Sequence, residues 1–360
     1  VLALTGALKH DEFIAMSFVS LKNDLRPNVK ETFAYLAEQG VQVKVISGDA
    51  PLTVSSIAQI VGIPGAERYI DASTLTTPEE LREAARTYTV FGRVKPDQKK
   101  QLVLALKEDG TRVAMTGDGV NDILAMKEAD CSIAMGAGSD AAMQSAQVVL
   151  LDSDFSHMRE IIGEGRRDIN NITRSATLFL YKNLFSAMLA SFSIILFFSY
   201  PLQPTQVTLV SGFNIGLPAF LLAFEPNEKK QKGHFLTEVV LKSMPAAIAS
   251  FAGIGAMVIF ADLFSITAQE VSTASTFLLS AVGFIILKNI CTPMNRYRAT
   301  VMGLCIIGMV ACSILFNNLF SISALTPRCL VLTVVFAIAD TSIMRWMDYL
   351  FNRLRRAIER

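Results

Sequence analysis

From Arg174 to about residue 346 the chain is a succession of long apolar stretches separated by short polar breaks. No other feature restricts the possible fold as strongly. The stretches 174–199, 205–224, 244–264, 271–291, 299–316 and 328–346 each approach the ~20 residues that a helix needs to cross ~30 Å of hydrocarbon. A segment inside lipid must satisfy its own backbone polar groups, so these six stretches read as helices. Basic residues then set their orientation. Lys229, Lys230, Lys232, Lys242, Arg296, Arg298, Arg353, Arg355, Arg356 and Arg360 fall in the segments 225–243, 292–298 and 346–360, whereas the breaks 200–204, 265–270 and 317–327 hold no Lys or Arg. Positively charged loops stay on the cytoplasmic side. Residues 1–173 and the basic tail 347–360 are therefore expected in the cytoplasm, with 174–346 embedded in the lipid bilayer of the cell (plasma) membrane.

Composition agrees with this division. Only 18% of the 360 residues are charged, against about 25% in soluble domains, and most Asp and Glu precede residue 170. The formal net charge is +1, with no basic arm or interleaved aromatic motif, so nothing points to a nucleic-acid partner. Cys131, Cys291, Cys305, Cys312 and Cys329 show no CxxC spacing and read as buried thiols. The opening segment VLALTGALKHDEF resembles neither a signal peptide nor a start, and reads as the interior of a longer protein.

The first part alternates β-rich runs (FIAMSFVSL, VQVKVIS, YTVFG, RVAMTGD, CSIAMG, AQVVLL) with helical patterns (NVKETFAYLAEQ, PLTVSSIAQIVG, KPDQKKQLVLALKED, NDILAMKEA). Such alternation predicts an α/β domain with a doubly wound parallel sheet over residues 1–173, followed by an all-α bundle of about six helices. Chemistry in such sheets sits at the carboxyl ends of strands. There Thr116-Gly117-Asp118-Gly119-Val120-Asn121-Asp122 ends a strand with two carboxylates and an amide, an oxygen set suited to Mg²⁺. Ser47-Gly48-Asp49 ends another strand, where a hydroxyl and backbone N–H groups can hold a phosphoryl group. Arg93 through Lys99 opens a helix whose lysine can neutralise phosphoryl charge. Asp24-Leu25-Arg26-Pro27 precedes a helix.

Together these segments closely resemble the P-type ATPases, cation-transporting members of the haloacid dehalogenase superfamily. SGD resembles the family's TGD, RVKPDQK its R-x-x-P-x-x-K, DLRP its hinge segment, and TGDGVND matches without substitution, followed by Ala134-Met135-Gly136. The resemblance implies catalytic roles for Ser47, Gly48, Asp49, Lys99, Asp118, Asn121 and Asp122. Asp118 would bind Mg²⁺, Asn121 and Asp122 would support the phosphorylation site, Ser47 would touch the phosphate, and Lys99 would pair with it. It also places Asp24, Arg26 and Arg93 among cofactor-binding positions. The cofactors implied are Mg²⁺ and ATP. No DKTGT motif occurs in the chain, so the phosphate-accepting aspartate, the nucleotide-binding part and the preceding membrane helices are expected in missing N-terminal parts of the same pump. The chain alone is expected to be inactive.

The membrane half departs from the calcium-pump pattern. Ser186 stands where those pumps carry Glu, and Ile215 in Asn214-Ile215-Gly216-Leu217-Pro218 replaces their Asp; Asn183, Ser211 and Asn214 keep polar positions. Lys182 has appeared in the apolar run, and an ionisable group at such depth is a functional candidate by default. It is either an internal countercharge or a lysine snorkelling to the interface. The expected function is an ATP-driven, cation-translocating pump cycling through an aspartyl-phosphate. Tyr181-Lys182-Asn183 also resembles lipid flippases, so a flippase or organic-cation transporter is the alternative, ahead of a membrane-tethered phosphatase of the superfamily. Asp262, Lys288 and Asp340 are expected near span ends, at the interface.

Overall fold

The computed structural model describes residues 2–9, 12–20, 25–227, 229–230 and 233–358. The chain divides into two compact units, Val1–Ile162 and Gly163–Arg360.

The first unit is α/β. Strands β1 (Leu2–Lys9) and β2 (Glu12–Ser20) form an antiparallel hairpin with Lys9 opposite Glu12. The run expected as a parallel strand therefore pairs the other way: a two-residue connection permits only an antiparallel partner, because parallel pairing needs a crossover. Beyond it come α1 (Val29–Glu38), β3 (Val45–Ile46), α2 (Pro51–Val61), β4 (Tyr69–Asp71), α3 (Pro78–Thr87), β5 (Val90–Gly92) and α4 (Pro96–Glu108). Then follow β6 (Ala114–Gly117), α5 (Ile123–Glu128), β7 (Cys131–Met135), α6 (Asp140–Ser145) and β8 (Val148–Leu150). The six later strands form two parallel sheets, ordered β3-β5-β4 and β6-β7-β8.

Both faces of these sheets are covered, which explains the continuous apolar runs. On β5, Val90 joins a core with Val54, Ala58, Val61 and Ala66 of the α2 side, while Phe91 joins Leu81, Ala84 and Leu102 of α3 and α4. Successive side chains on a strand point to opposite faces, so β5 is buried throughout. Helix α4 serves both sheets. Leu102 enters the core beneath β5, and the next residue, Val103, enters the core of Met115, Ala125, Met126 and Ala134 beneath β6 and β7. Helix α3 starts at a capping box in which Thr77 and Glu80 satisfy each other's backbone amides. Its glutamate-rich PEELREAART segment has no counterpart in the sequence-derived element list.

The second unit is helical. It comprises α7 (Met158–Leu196), which begins in the first unit, then α8 (Pro204–Ser211), a π-turn at Gly212–Gly216, α9 (Leu217–Ala223), α10 (Phe235–Ala261), α11 (Ala268–Ile290), α12 (Arg296–Leu315) and α13 (Pro327–Ile358). Among the described residues six helical segments are long and apolar enough to cross a membrane, 155–196, 204–223, 235–261, 268–290, 296–315 and 327–355. The inward stripe of α7 is Leu178, Tyr181, Phe185 and Leu189, all at 0–1% exposure and spaced at three- and four-residue steps, as an amphipathic helix requires. The π-turn coincides with Gly212, Gly216 and Pro218: proline has no N–H to give to the preceding turn, and the backbone widens there. At the end of α9, Glu225 takes Arg298 at 2.7 Å and Asn295 at 2.6 Å, and Arg298 also donates to the carbonyls of Cys291 and Pro293, each at 2.9 Å. Both members of this buried pair make further hydrogen bonds, the condition under which such a pair is tolerable.

A second expectation is overturned. Asp262 caps the end of α10 and is exposed, and Lys288 is exposed in the last turn of α11. Asp340, however, is 0% exposed. Helix α13 continues to Ile358, so the residue that a span of 328–346 put near an end sits near the helix middle.

Phe91 is the largest side chain in the sheet-and-helix core, at 1% exposure. Phe91→Ala is expected to cost about 3–5 kcal/mol, read as a lower urea midpoint for the first unit within the whole chain.

Candidate functional site

Three loops of the first unit carry the residues singled out in its sequence. The one after β3 holds Ser47, Gly48 and Asp49. Ser47 receives a backbone bond at its carbonyl from Val94 and donates its own N–H to Phe91, both near 3.0 Å, while Asp49 N–H donates to Ser47 Oγ at 3.1 Å. The Arg93 N–H donates to the Asp49 carbonyl at 2.8 Å. A side chain at Gly92 would lie 2.5 Å from Pro51, so glycine is what allows this loop to close on β5. Asp49 is exposed and Ser47 half-buried.

The loop after β6 holds Asp118, Asn121 and Asp122. Its backbone is fixed by the Ser139 N–H donating to the Asp118 carbonyl at 2.8 Å. A Cβ at Gly117 would lie 2.5 Å from that of Asp122, so the turn must have glycine there for Asp122 to fold back over the strand end. Asp122 is 7% exposed and its Oδ1 takes Lys99 Nζ at 2.6 Å. Lys99 lies in the first turns of α4, directly after β5. The pair therefore brings the carboxyl end of β5 to the carboxyl end of β6, and unites two of the segments singled out in the sequence. Asp118 and Asn121 stand beside it, exposed.

Arg93 has φ +51° and donates to Asp71 at 2.8 Å. Hydrogen bonds from the Ser73 hydroxyl and amide, and then Arg93, hold the Asp71 carboxyl below its ordinary value. Arg93 is thus engaged with its own domain, 59% of its side chain remaining exposed. Arg26 is exposed in the segment before α1. Asp24 lies outside the described residues.

No cluster of three or more His, Cys, Asp or Glu side chains able to hold a metal occurs among the described residues. The donors nevertheless fit Mg²⁺, which is held by one or two carboxylates together with phosphate oxygens and water. Asp118 presents an exposed carboxylate without an ion pair or side-chain hydrogen bond among the described residues, whereas Asp122 is committed to Lys99.

In the second unit Lys182 and Ser211 are brought together. Lys182 Nζ donates to Ser211 Oγ at 3.1 Å, and that hydroxyl donates to the Val207 carbonyl at 2.6 Å. The ammonium thus points across to the end of α8. Asn214, 1% exposed in the π-turn, turns to α11: it donates to the Ser280 carbonyl at 2.9 Å and accepts from the Ser280 hydroxyl at 3.0 Å. Gly283 provides the space, since a Cβ there would collide with the Asn214 amide. Ser186 hydrogen-bonds Tyr200, and Asn183 is exposed, so neither joins Lys182. Sequence reasoning missed Ser280 and the Tyr181 phenol, which donates to the Leu279 carbonyl at 3.0 Å. A run of Ser and Thr in α11 was the available signal.

Known proteins resemble this chain along most of its length. The haloacid dehalogenase-like hydrolase family matches residues 3–130. "Probable cation-transporting ATPase exp7" of Streptococcus pneumoniae serotype 4 is 38% identical over 360 residues, covering 92% of this chain and 45% of that protein. "Calcium-transporting ATPase CtpE" of Mycolicibacterium smegmatis is 38% identical over 322 residues, 85% of this chain and 39% of that protein. "Calcium-transporting ATPase type 2C member 2" of Homo sapiens is 34% identical over 233 residues, 64% and 25% respectively. The fold is thus a haloacid dehalogenase-like domain joined to a multi-pass membrane bundle. By this homology the chain belongs to the P-type ATPase family, with cation-transporting relatives. It spans less than half the length of these relatives.

Lys99 and Asp122 have 13% and 10% of their side chains exposed. Removing one member of such a pair leaves the other charge stranded, at a cost of about 3–5 kcal/mol. Lys99→Met is expected to destabilise the first unit by that order, and Asp122→Asn added to it to recover part of the loss. Additive effects in a double-mutant cycle would show that the pair is not coupled.

Proposed function

We propose that the intact protein is an ATP-driven cation pump of the plasma membrane, and that residues 1–173 and the C-terminal tail face the cytoplasm. The observation that carries this reading is the Lys99–Asp122 pair beside the exposed carboxylate of Asp118, with Ser47 on the neighbouring loop after β3. That is a site prepared for a transferring phosphoryl group: one cation, one hydroxyl, backbone N–H groups and a carboxylate for Mg²⁺. When bound, Mg²⁺ would neutralise phosphate oxygens, and Asp118 would hold it. Lys99 would pair with phosphoryl charge while Asp122 keeps its ammonium aimed at the site. The Ser47 hydroxyl and the Gly48 N–H would donate to the remaining oxygens.

The nucleophile belongs between the two sheets. Strands β3 and β6 are each an edge strand of their sheet, and both lead into the candidate loops. An unpaired edge is a template for another strand. We place there a strand of the intact pump that carries the phosphate-accepting aspartate, which would give the six parallel strands a single sheet and put the aspartate between Ser47 and Asp118. Phosphorylation and hydrolysis then bias the membrane helices between two states, and α7 is the continuous helix that leads from the first unit to Lys182.

For the substrate, the relatives named as cation or calcium transporters favour a cation over a lipid. The Lys182–Ser211 bond gives this a mechanism. The ammonium holds the Ser211 hydroxyl, next to the Val207 carbonyl, through oxygens that an entering cation would need. Cation and ammonium compete, so Lys182 acts as an internal countercharge that returns when the cation leaves.

The test is ATPase activity of the intact, reconstituted protein against Ca²⁺, Mn²⁺, Mg²⁺, Na⁺, K⁺, polyamines and phospholipids. Asp118→Ala is expected to abolish turnover. Lys182→Ala is expected to shift the half-stimulating cation concentration about tenfold, equivalent to about 1.4 kcal/mol. Stimulation by phospholipid alone would replace this reading with a flippase.

A further inference from the structure

Asp340 has no role in either site described above. It lies near the middle of α13 at 0% exposure, and neither of its carboxyl oxygens has a hydrogen-bond partner among the described residues. The carboxyl group fits against Gly253 of α10, where a methyl group would collide with both oxygens. Helices α10 and α11 are the elements packed most extensively on α13. The glycine thus forms a recess that admits a carboxyl group between two closely packed helices.

The surroundings settle which form of the acid fits there. The charged groups on α10 are Glu238, Lys242 and Asp262, at least nine residues from Gly253 along the helix, about 13 Å or more at 1.5 Å per residue. On α11 they are Glu270 and Lys288, each nine residues from Leu279, the residue whose carbonyl takes the Tyr181 phenol. On α13 itself, Arg345 is exposed, Asp348 is eight residues away, and Arg328, Arg353, Arg355 and Arg356 are twelve or more. From α7 the Tyr181 phenol reaches the same helices: it lies 3.3 Å from the Ser250 hydroxyl, three residues before Gly253 on α10, and donates to the Leu279 carbonyl of α11. An ionised carboxylate without a cation or donor is untenable in such a place, and a neutral acid is not. A metal ion would need several further oxygens on the same spot, and no group of three ligating side chains occurs among the described residues. If the position served packing alone, an apolar side chain would serve it better.

We propose that Asp340 is a proton-binding site in the core of the membrane bundle: it carries a proton in the conformation seen here and releases it when α10 and α13 separate during transport. Tyr181 and Lys182 are adjacent on α7. Lys182 is bonded to Ser211, and Tyr181 meets Ser250, three residues from the Gly253 that faces Asp340. Movement of α7 as a cation displaces the Lys182 ammonium is therefore transmitted to the helices that enclose Asp340. Protonation at rest follows from the packing; its release during transport rests on the pump reading above.

The intact protein in lipid gives a separate readout for each part. Infrared spectra at neutral pH are expected to show the carbonyl stretch of a protonated carboxylic acid that is absent in Asp340→Asn. Labelling aspartate with carbon-13 in the unmutated protein shifts the same band, should the variant not fold. Absence of such a band overturns the proposal. In proteoliposomes holding a trapped pH-sensitive dye and driven by ATP and Ca²⁺, Asp340→Asn is expected to lose half or more of the proton movement per ATP while still hydrolysing ATP. Unchanged proton movement beside a genuine carbonyl band would make Asp340 a fixed neutral acid, and the release step would fall. A protein that no cation stimulates would sink the pump reading, and the infrared band would still decide whether Asp340 is protonated.

Discussion

The contact between Lys99 and Asp122, 2.6 Å long and mostly buried, is the interaction on which the first unit depends. It works because α4 already bridges the two sheets through Leu102 and Val103. The apolar pair determines where the helix lies, and the ion pair determines which way its first turns face. Glycine at positions 92 and 117 lets the two loops close on their strands. What results is a charge arrangement held ready before any ligand arrives, and preorganisation of this kind is where electrostatic catalysis gains most. Asp118 and Asn121 remain exposed beside it, available to a ligand because the buried residues do not use them.

The membrane half applies the same principle to oxygen atoms in an apolar setting. Polar groups there are satisfied in pairs across helices. Asn214 meets Ser280, Lys182 meets Ser211, the Tyr181 phenol meets a carbonyl of α11, and Glu225 meets Arg298 near the end of α9. Each pairing ties two helices together, so a change at one helix has to be answered at another. The π-turn at Gly212–Gly216 concentrates this at the place where the backbone is already widened. The Ser193 and Ser275 hydroxyls and both Asp340 oxygens lack partners among the described residues; Asp340 alone of these three is an ionisable group, and such groups inside a membrane tend to mark function.

Much of this was legible from residue order. The six membrane helices follow from hydropathy, because lipid leaves a chain few alternatives. The TGDGVND and SGD turns were readable because a glycine-rich strand end that must expose oxygens has few ways to be written. Other features depend on what lies across space. The β1–β2 hairpin was hidden because period alone does not tell a parallel partner from an antiparallel one. Helix α3 was missed because PEELREAART buries only Leu81, Ala84 and Ala85, a stripe too narrow to stand out. Asp340 was misplaced because α13 continues past its apolar stretch in a basic, amphipathic segment, which moved the apparent span end towards the acid. The link between Lys182 and Ser211, 29 residues apart, required the fold.

The central claim is that the loops after β3 and β6, with Lys99, serve a phosphoryl group carried on an aspartate. Brief exposure of the intact protein to radiolabelled ATP, with Mg²⁺ and Ca²⁺, followed by acid quenching tests this most directly. The account predicts an acid-stable labelled protein whose label is released by hydroxylamine, as an acyl phosphate requires, and which Asp122→Asn reduces strongly. A protein that hydrolyses ATP with no such covalent intermediate would contradict it.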